Sequence, residues 1–335
     1  MLDAAIVGLG WWGRTITDVM AGSDKLRLVK AVDPDAKARQ WAEARGIAAA
    51  GSLEEALGDA SLRAVILATP HSCHTRQIAA AAAAKKHVFC EKPLALSRSD
   101  ALASLAACEA AGVVLGLGHE RRFEPPMREL ARLAQSGTLG TLLQIEAAFS
   151  QDKFLSLPPA NWRLSPTEAP AGPMTATGIH QLDLAIGLLG PAERAFASVR
   201  RLGSELVNGD TLGALVSFRS GANLLLSAIL ATPFAGRFAV YGNAGWAEVR
   251  DKAHPEAPQG WVLTTCRRGG APVITDFPPA PAVRANLEAF ADATEGRAPY
   301  PVPQAQMIAN IAALEAIFRS AASGTVEAVA TGAAS

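Results

Sequence analysis

The stretch Ala4-Ala5-Ile6-Val7-Gly8-Leu9-Gly10-Trp11-Trp12-Gly13 decides the fold of this chain. Its four leading apolar residues read as a buried strand, and the Gly8-x-Gly10-x-x-Gly13 spacing predicts a tight turn running straight into a helix. The glycines let the turn tighten, let a pyrophosphate approach the backbone and let the helix pack closely on the strand. The helix N-terminus favours the anion. Three glycines alone are a weak signal, and Asp33 strengthens it. It ends the next apolar run, Leu26 to Val32, twenty residues after Gly13, where a carboxylate accepts hydrogen bonds from an adenosine ribose.

These features predict a dinucleotide-binding Rossmann unit in which Gly8, Leu9, Gly10, Trp11, Trp12, Gly13 and Asp33 meet the cofactor. Asp33 also favours NAD(H) over NADP(H), because a carboxylate ~4 Å from a 2′-phosphate costs on the order of 4 kcal/mol per unit charge at an effective dielectric of about 20. Lys37 and Arg39 read as solvated helix residues.

Working outward, short apolar runs at Ala64 to Ala68, His87 to Cys90 and Val113 to Gly116 alternate with helical stretches at Trp12 to Ala21, Asp35 to Arg45, Thr75 to Lys85 and Ser97 to Ala111. This is the pattern of βαβ units around a parallel sheet, with Asp35 and Ser97 suited to begin their helices. After Gly118 the pattern changes. A helix at Pro125 to Gln135 precedes closely spaced, turn-bounded strands at Leu142 to Phe149, Ala195 to Arg201, Thr211 to Phe218, Asn223 to Ile229 and Arg237 to Tyr241. A helix at Ile179 to Leu189 interrupts them, and helices at Val283 to Thr294 and Gln304 to Ser320 follow. The expected fold is α/β: a dinucleotide-binding domain over 1–120, then an α+β domain over 121–335 with a mainly antiparallel open sheet, its C-terminal helices packing back on the first domain.

Composition bounds the partners. With 31 basic and 31 acidic residues the formal charge is zero and neither sign forms a long block, which argues for a small-molecule partner and against nucleic acid. Cys73, Cys90, Cys108 and Cys266 show neither metal-ligand spacing nor a secreted-type disulfide framework, so they read as reduced thiols in a cytoplasm. The N-terminal apolar stretch lacks a basic leader and reads as a strand. The longest apolar segment, 221–236, falls short of the ~20 residues a membrane span requires. No membrane partner is expected.

The run Thr69-Pro70-His71-Ser72-Cys73-His74, followed by Lys86-His87-Val88-Phe89-Cys90-Glu91-Lys92-Pro93, resembles the glucose-fructose oxidoreductase, inositol dehydrogenase and rhizopine-catabolism oxidoreductase family. The likeness extends through Arg122-Phe123, Trp162-Arg163 and Gly178-Ile179-His180-Gln181-Leu182-Asp183 to the segment 301–323, covering nearly the whole chain. It implies an active site in a cleft between domains, an open C-terminal sheet used for homodimer or homotetramer contacts, and a cis peptide at Lys92-Pro93. Thr69, Pro70, His74, Glu91 and Lys92 would join the glycine loop around the cofactor. Lys92 and His180 would be catalytic, with Lys92 donating a proton as an ammonium or removing one as an amine. Arg122, Arg163, Thr177 and Asp183 would join Lys92 and His180 in binding substrate.

Family members commonly carry an Asp four residues before the histidine matching His180; here that position is Ala176. The change puts a Lys-Asp-His relay in doubt. Other conspicuous residues have plainer readings. His71 and His74 lack a completing ligand for a metal, Trp11 and Trp12 read most economically as packed aromatics, and Arg122 and Arg163 serve structural carboxylates as readily as a substrate. The function expected is hydride transfer between NAD(H) and a secondary alcohol or ketone of a sugar, cyclic polyol or cyclic diol. The alternative is a non-catalytic NAD-binding regulator or scaffold.

Overall fold

The computed structural model describes residues 1–331. The last four positions of the second expected domain lie outside the described residues. The chain divides into two compact units: Met1–Glu120 with Pro281–Met307, and Arg121–Ala280 with the described residues 308–331.

The first unit runs β1 (Leu2–Val7), α1 (Trp11–Met20), β2 (Leu26–Val32), α2 (Ala36–Glu43), β3 (Ala48–Ala50), α3 (Leu53–Leu57), β4 (Ala64–Leu67), α4 (His74–Ala83), β5 (His87–Cys90), α5 (Arg98–Ala111) and β6 (Leu115–Leu117). Its six strands form a parallel sheet in the order β3-β2-β1-β4-β5-β6. The order reverses between β1 and β4, and ligands of such sheets bind beyond the carboxyl ends at that reversal. The two helix starts anticipated from side-chain chemistry form as caps: Asp35 accepts the Lys37 N–H at 3.1 Å and Ser97 the Asp100 N–H at 3.2 Å. Strand β3 and helix α3 were not anticipated, because three alanines carry no strand signature and five residues show no period.

The stretch 281–307 belongs to this unit through apolar and polar contacts. Phe290 meets Phe89 edge-on at 5.6 Å. Leu117 at the sheet edge has both main-chain groups satisfied, its N–H donating to the Tyr300 hydroxyl at 3.0 Å and its carbonyl accepting from Asn286 Nδ2, also at 3.0 Å. The last residue of the edge strand β6 thereby has its main-chain groups satisfied.

The second unit carries α6 (Pro125–Gln135), β7 (Leu142–Ser150), α7 (Ile179–Leu189), β8 (Ala192–Arg200), β9 (Thr211–Phe218), β10 (Asn223–Ile229), β11 (Ala235–Gly242), β12 (Gly245–Asp251), β13 (Trp261–Arg267) and β14 (Val273–Phe277). Helix α8 (Ala282–Thr294) lies in the first unit, α9 (Gln304–Ser323) begins there and continues into the second, and β15 (Glu327–Ala328) adds a last short strand to the second. The nine strands are ordered β14-β13-β12-β11-β7-β10-β9-β8-β15, antiparallel except for β7 with β10. Alternate residues such as Ile145, Ala147 and Phe149 or Leu224, Leu226 and Ala228 are buried, on the face where α6 and α7 pack. On the other face Phe196, Leu215 and Leu225, 40–42% exposed, sit opposite one another across β8, β9 and β10. Strands β12 to β14 were not anticipated. Their exposed faces carry Glu248, Arg250 and Asp276, which dilute the apolar alternation, although Trp261-Val262-Leu263-Thr264-Thr265 has the β-rich composition of a strand.

Candidate functional site

In the first unit the three glycines have separate reasons to lack a side chain. Gly8 has φ +93°, and a Cβ there would stand 2.6 Å from the Ala68 carbonyl oxygen; at Gly13 a Cβ would stand 1.8 Å from the Gly8 carbonyl oxygen. A Cβ on Gly10 would meet nothing within 4 Å, which leaves its backbone open to a ligand. Beside this loop lies a groove of about 670 Å³ lined by Leu9, Gly10, Trp11, Arg14, Asp33 and their neighbours. The Asp33 carboxylate accepts the Leu9 N–H at 2.7 Å and the Asp35 N–H at 2.9 Å, so it is fixed against the glycine loop. The residues present fit a dinucleotide: a backbone cradle for phosphate and a held carboxylate at the end of β2.

Trp11 is half exposed on the groove, whereas Trp12 packs against the core. Arg39 corrects one expectation. It is not simply solvated: its guanidinium donates to the Asp33 and Pro34 carbonyls at 2.8 and 2.9 Å, satisfying acceptors left where β2 ends.

Thr69 and Pro70 follow β4, and Glu91, Lys92 and Pro93 follow β5, at the same carboxyl edge of the sheet as the glycine loop. Lys92-Pro93 is cis. His74 is fully buried and its ring nitrogens lie 2.8 Å from the Pro93 carbonyl and 3.2 Å from the Thr69 carbonyl, tying the two loops together. Glu91 packs its carboxylate against Gly118, where a Cβ would stand 2.5 Å from Oε2. Lys92 is partly exposed. Cys90 is buried, and burial, reinforced by Glu91, pushes its thiol well above the ordinary range, which suits packing rather than nucleophilic chemistry. No group of three or more metal-ligating side chains occurs among the described residues.

In the second unit a π-helical turn, Met174–Gly178, leads into α7 and its His180. Such turns are uncommon and recur at functional sites. Asn208 braces the approach to it: its Nδ2 donates to the Arg163 and Ala169 carbonyls, both at 2.9 Å, and its own carbonyl accepts the Gly172 N–H at 2.7 Å. Thr177 is buried and its hydroxyl donates to the Pro173 carbonyl at 3.1 Å. Arg122 and Asp183 pair with each other, Nη2 to Oδ1 at 2.7 Å, and Arg122 also reaches the Asp183 carbonyl at 3.0 Å. Arg163 lies over Trp162, 4.2 Å from the ring centre. His180 is 6% exposed, with the Phe149 ring 6.1 Å away.

Beside Phe149 stands a cluster that sequence reasoning missed. The His254 Nε2 faces Gln151 Oε1 at 2.6 Å, while its Nδ1 accepts from the Lys153 ammonium at 3.1 Å and the Glu256 N–H at 3.2 Å. Two donors at Nδ1 fix the Nε2–H tautomer. Burial, then the charges of Lys153 and Arg121, bring the His254 pKa down to about 4, so the ring is neutral at neutral pH. The Arg121 guanidinium, 5.2 Å from the Phe149 ring centre, is buried with Glu124 and Asp251. Burial opposes its charge, and the two carboxylates outweigh that cost and raise its pKa. No motif signals this cluster, since its members come from the turn before α6, from β7 and the loop after it, and from β12 and the loop beyond.

Fold and glycine cradle define an NAD(P)-binding oxidoreductase. Residues 2–119 match the model described as "Oxidoreductase family, NAD-binding Rossmann fold", and 127–248 match the "GFO/IDH/MocA C-terminal domain". The chain is 30% identical to the 1,5-anhydro-D-fructose reductase of Ensifer adhaerens, covering 84% of each chain, and 30% identical to a D-xylose 1-dehydrogenase (NADP(+)) of Haloferax volcanii, covering 87% of this chain and 88% of the relative. Among solved structures, an aldose-aldose oxidoreductase from Caulobacter crescentus superposes with a TM-score of 0.86 at 26% identity, over 98% of this chain and 99% of that one. The chain belongs to the glucose-fructose oxidoreductase, inositol dehydrogenase and MocA family, and is a dehydrogenase or reductase acting on CH-OH groups. Among the described residues no helix is long and apolar enough to cross a membrane.

Proposed function

We propose that this protein interconverts a secondary alcohol and its ketone on a sugar, cyclic polyol or cyclic diol, with NAD(H) preferred to NADP(H) and Lys92 exchanging the proton of the reacting oxygen. The observation that carries the reading is the juxtaposition, on one sheet edge, of the open Gly10 backbone, the fixed Asp33 carboxylate and the Glu91-Lys92-Pro93 loop.

The bound nicotinamide supplies the hydride chemistry. Gly8 to Gly13 hold the pyrophosphate, Asp33 takes the adenosine ribose, and Thr69, Pro70 and Glu91 border the cofactor. His74, being fully buried, positions those loops through the Thr69 and Pro93 carbonyls rather than touching the cofactor. Lys92 donates a proton to a carbonyl oxygen during reduction and removes it from the hydroxyl during oxidation. His180 and Arg163 contact the substrate. Arg122 and Asp183, already paired, hold α7 in place, and Thr177 acts through its backbone turn.

The test is a screen of NAD⁺ and NADP⁺ reduction across sugars, inositols, sugar acids and cis-diols, followed by Lys92→Ala with the best substrate. Turnover is expected to fall about 10²- to 10⁴-fold with NADH affinity retained. Wild-type turnover in Lys92→Ala refutes the assignment. NADH binding with no turnover anywhere in the screen supports the non-catalytic reading.

A further inference from the structure

The surroundings of His180 carry information about substrate class, given the reading above that His180 contacts the substrate. The imidazole faces the Phe149 ring, which meets Phe234 edge-on at 6.0 Å. His254 closes the triangle, 5.9 Å from Phe149 and 5.3 Å from Phe234, and its two nitrogens are engaged by Gln151, Lys153 and Glu256. Phe149 is buried in this ring cluster, while Phe234 and His254 stay partly exposed.

On the π-helical turn before His180 the same character continues. Ala176 packs with Phe154, Leu157, Leu164, Leu206 and Leu230, and within that group Phe154, Leu157 and Ala176 stay partly exposed. The flanking hydroxyls are turned inward, Thr175 donating to the Gly172 carbonyl at 3.2 Å and Thr177 to the Pro173 carbonyl at 3.1 Å. A substrate hydroxyl laid against the side chains of Phe154, Leu157, Ala176 and Phe234 gives up its water and gains no partner from them, whereas a CH₂ or CH₃ gains burial.

We infer that the substrate presents carbon rather than hydroxyl to these side chains: it is an alicyclic diol or a deoxygenated sugar, not a polyol hydroxylated at every carbon. Ala176 and Phe234 determine that choice. An apolar pocket discriminates against an added hydroxyl by at most about 10²-fold, so the expected preference is roughly 10- to 100-fold in kcat/KM.

Two matched pairs test it: cis-cyclohexane-1,2-diol against myo-inositol, and D-fucose against D-galactose, each with NAD⁺ and NADP⁺. The wild type is expected to favour the less hydroxylated member of a pair. Ala176→Asp, which places a carboxylate among these side chains, is expected to narrow or invert that ratio, with Phe234→Asn as a second variant should the first fail to fold. Thermal melting establishes which variants are folded. Preference for myo-inositol or D-galactose overturns the inference, as does an unchanged ratio in both folded variants. A substrate from the broader screen that is hydroxylated at every carbon and outperforms both deoxygenated probes also overturns it, while leaving the dehydrogenase reading intact. No turnover anywhere in that screen removes the dehydrogenase reading itself, and this inference with it.

Discussion

Replacing Asp33 probes the cofactor end of the molecule most directly. In the wild type its two carboxylate oxygens are held by the Leu9 and Asp35 N–H groups, so the charge cannot swing away from a ligand in the groove. A 2′-phosphate there carries about −1.5 to −2 charges, and repulsion at ~4 Å amounts to about 4 kcal/mol per unit charge at an effective dielectric of about 20. Asp33 is partly exposed and Arg39 lies close by, so screening reduces the net penalty to about 2–3 kcal/mol, or roughly 30- to 150-fold in affinity. NADH is therefore expected to bind that much more tightly than NADPH in a titration of tryptophan fluorescence, with Trp11 lining the groove as the reporter. Asp33→Ser removes the charge and is expected to bring the two affinities within about fivefold, mostly by improving NADPH. It also gives up a charge-assisted hydrogen bond to the Leu9 N–H, worth about 1.5–3 kcal/mol, so some NADH affinity is lost in the same variant. Asp33→Asn separates the two effects by keeping an acceptor while removing the charge. Equal affinities in the wild type, or tighter NADPH, refute the reasoning.

The buried triad of Arg121, Glu124 and Asp251 predicts a large loss of stability on Asp251→Ala. Arg121 Nη2 loses both 2.8 Å contacts and Trp261 Nε1 its acceptor, so about 3–5 kcal/mol is expected from urea unfolding followed by circular dichroism, and a change below about 1 kcal/mol contradicts the account. His254 predicts an acid-side effect. As pH falls, the unfolded chain protonates near 6.5 and the folded ring only at about 4, so stability is full above pH 6.5 and drains towards pH 4. Allowing for solvent screening the loss is about 1–2 kcal/mol; His254→Gln should lose less over that window, and equal losses argue against the assignment. The aligned Phe196, Leu215 and Leu225 predict assembly through the open face of the second sheet, giving a dimer or tetramer by light scattering, and Leu215→Lys is expected to weaken it. A wild-type monomer at micromolar concentration refutes this.

Much of the first unit was legible before any coordinates, because its determinants are local. A strand, three spaced glycines and a carboxylate at the end of the next strand are each required by backbone sterics or hydrogen bonding within a few residues. Helix starts at Asp35 and Ser97 were readable for the same reason: a cap is satisfied within three residues of itself. The family resemblance extended the reading to Lys92 and His180, and Ala176 stood out as a departure from it. Tertiary structure decided the rest. That 281–307 satisfies the last residue of the first sheet's edge strand depends on Tyr300 and Asn286 meeting Leu117, at separations of 183 and 169 residues, which no local pattern encodes. That Arg122 and Asp183 satisfy each other, 61 residues apart, was invisible because either residue alone suits a substrate equally well. The His254 cluster and the aromatic group beside His180 were hidden for the same physical reason: β7 and β12 pair on either side of β11, which brings the loops after them together, and a side chain's chemistry is set by what it touches.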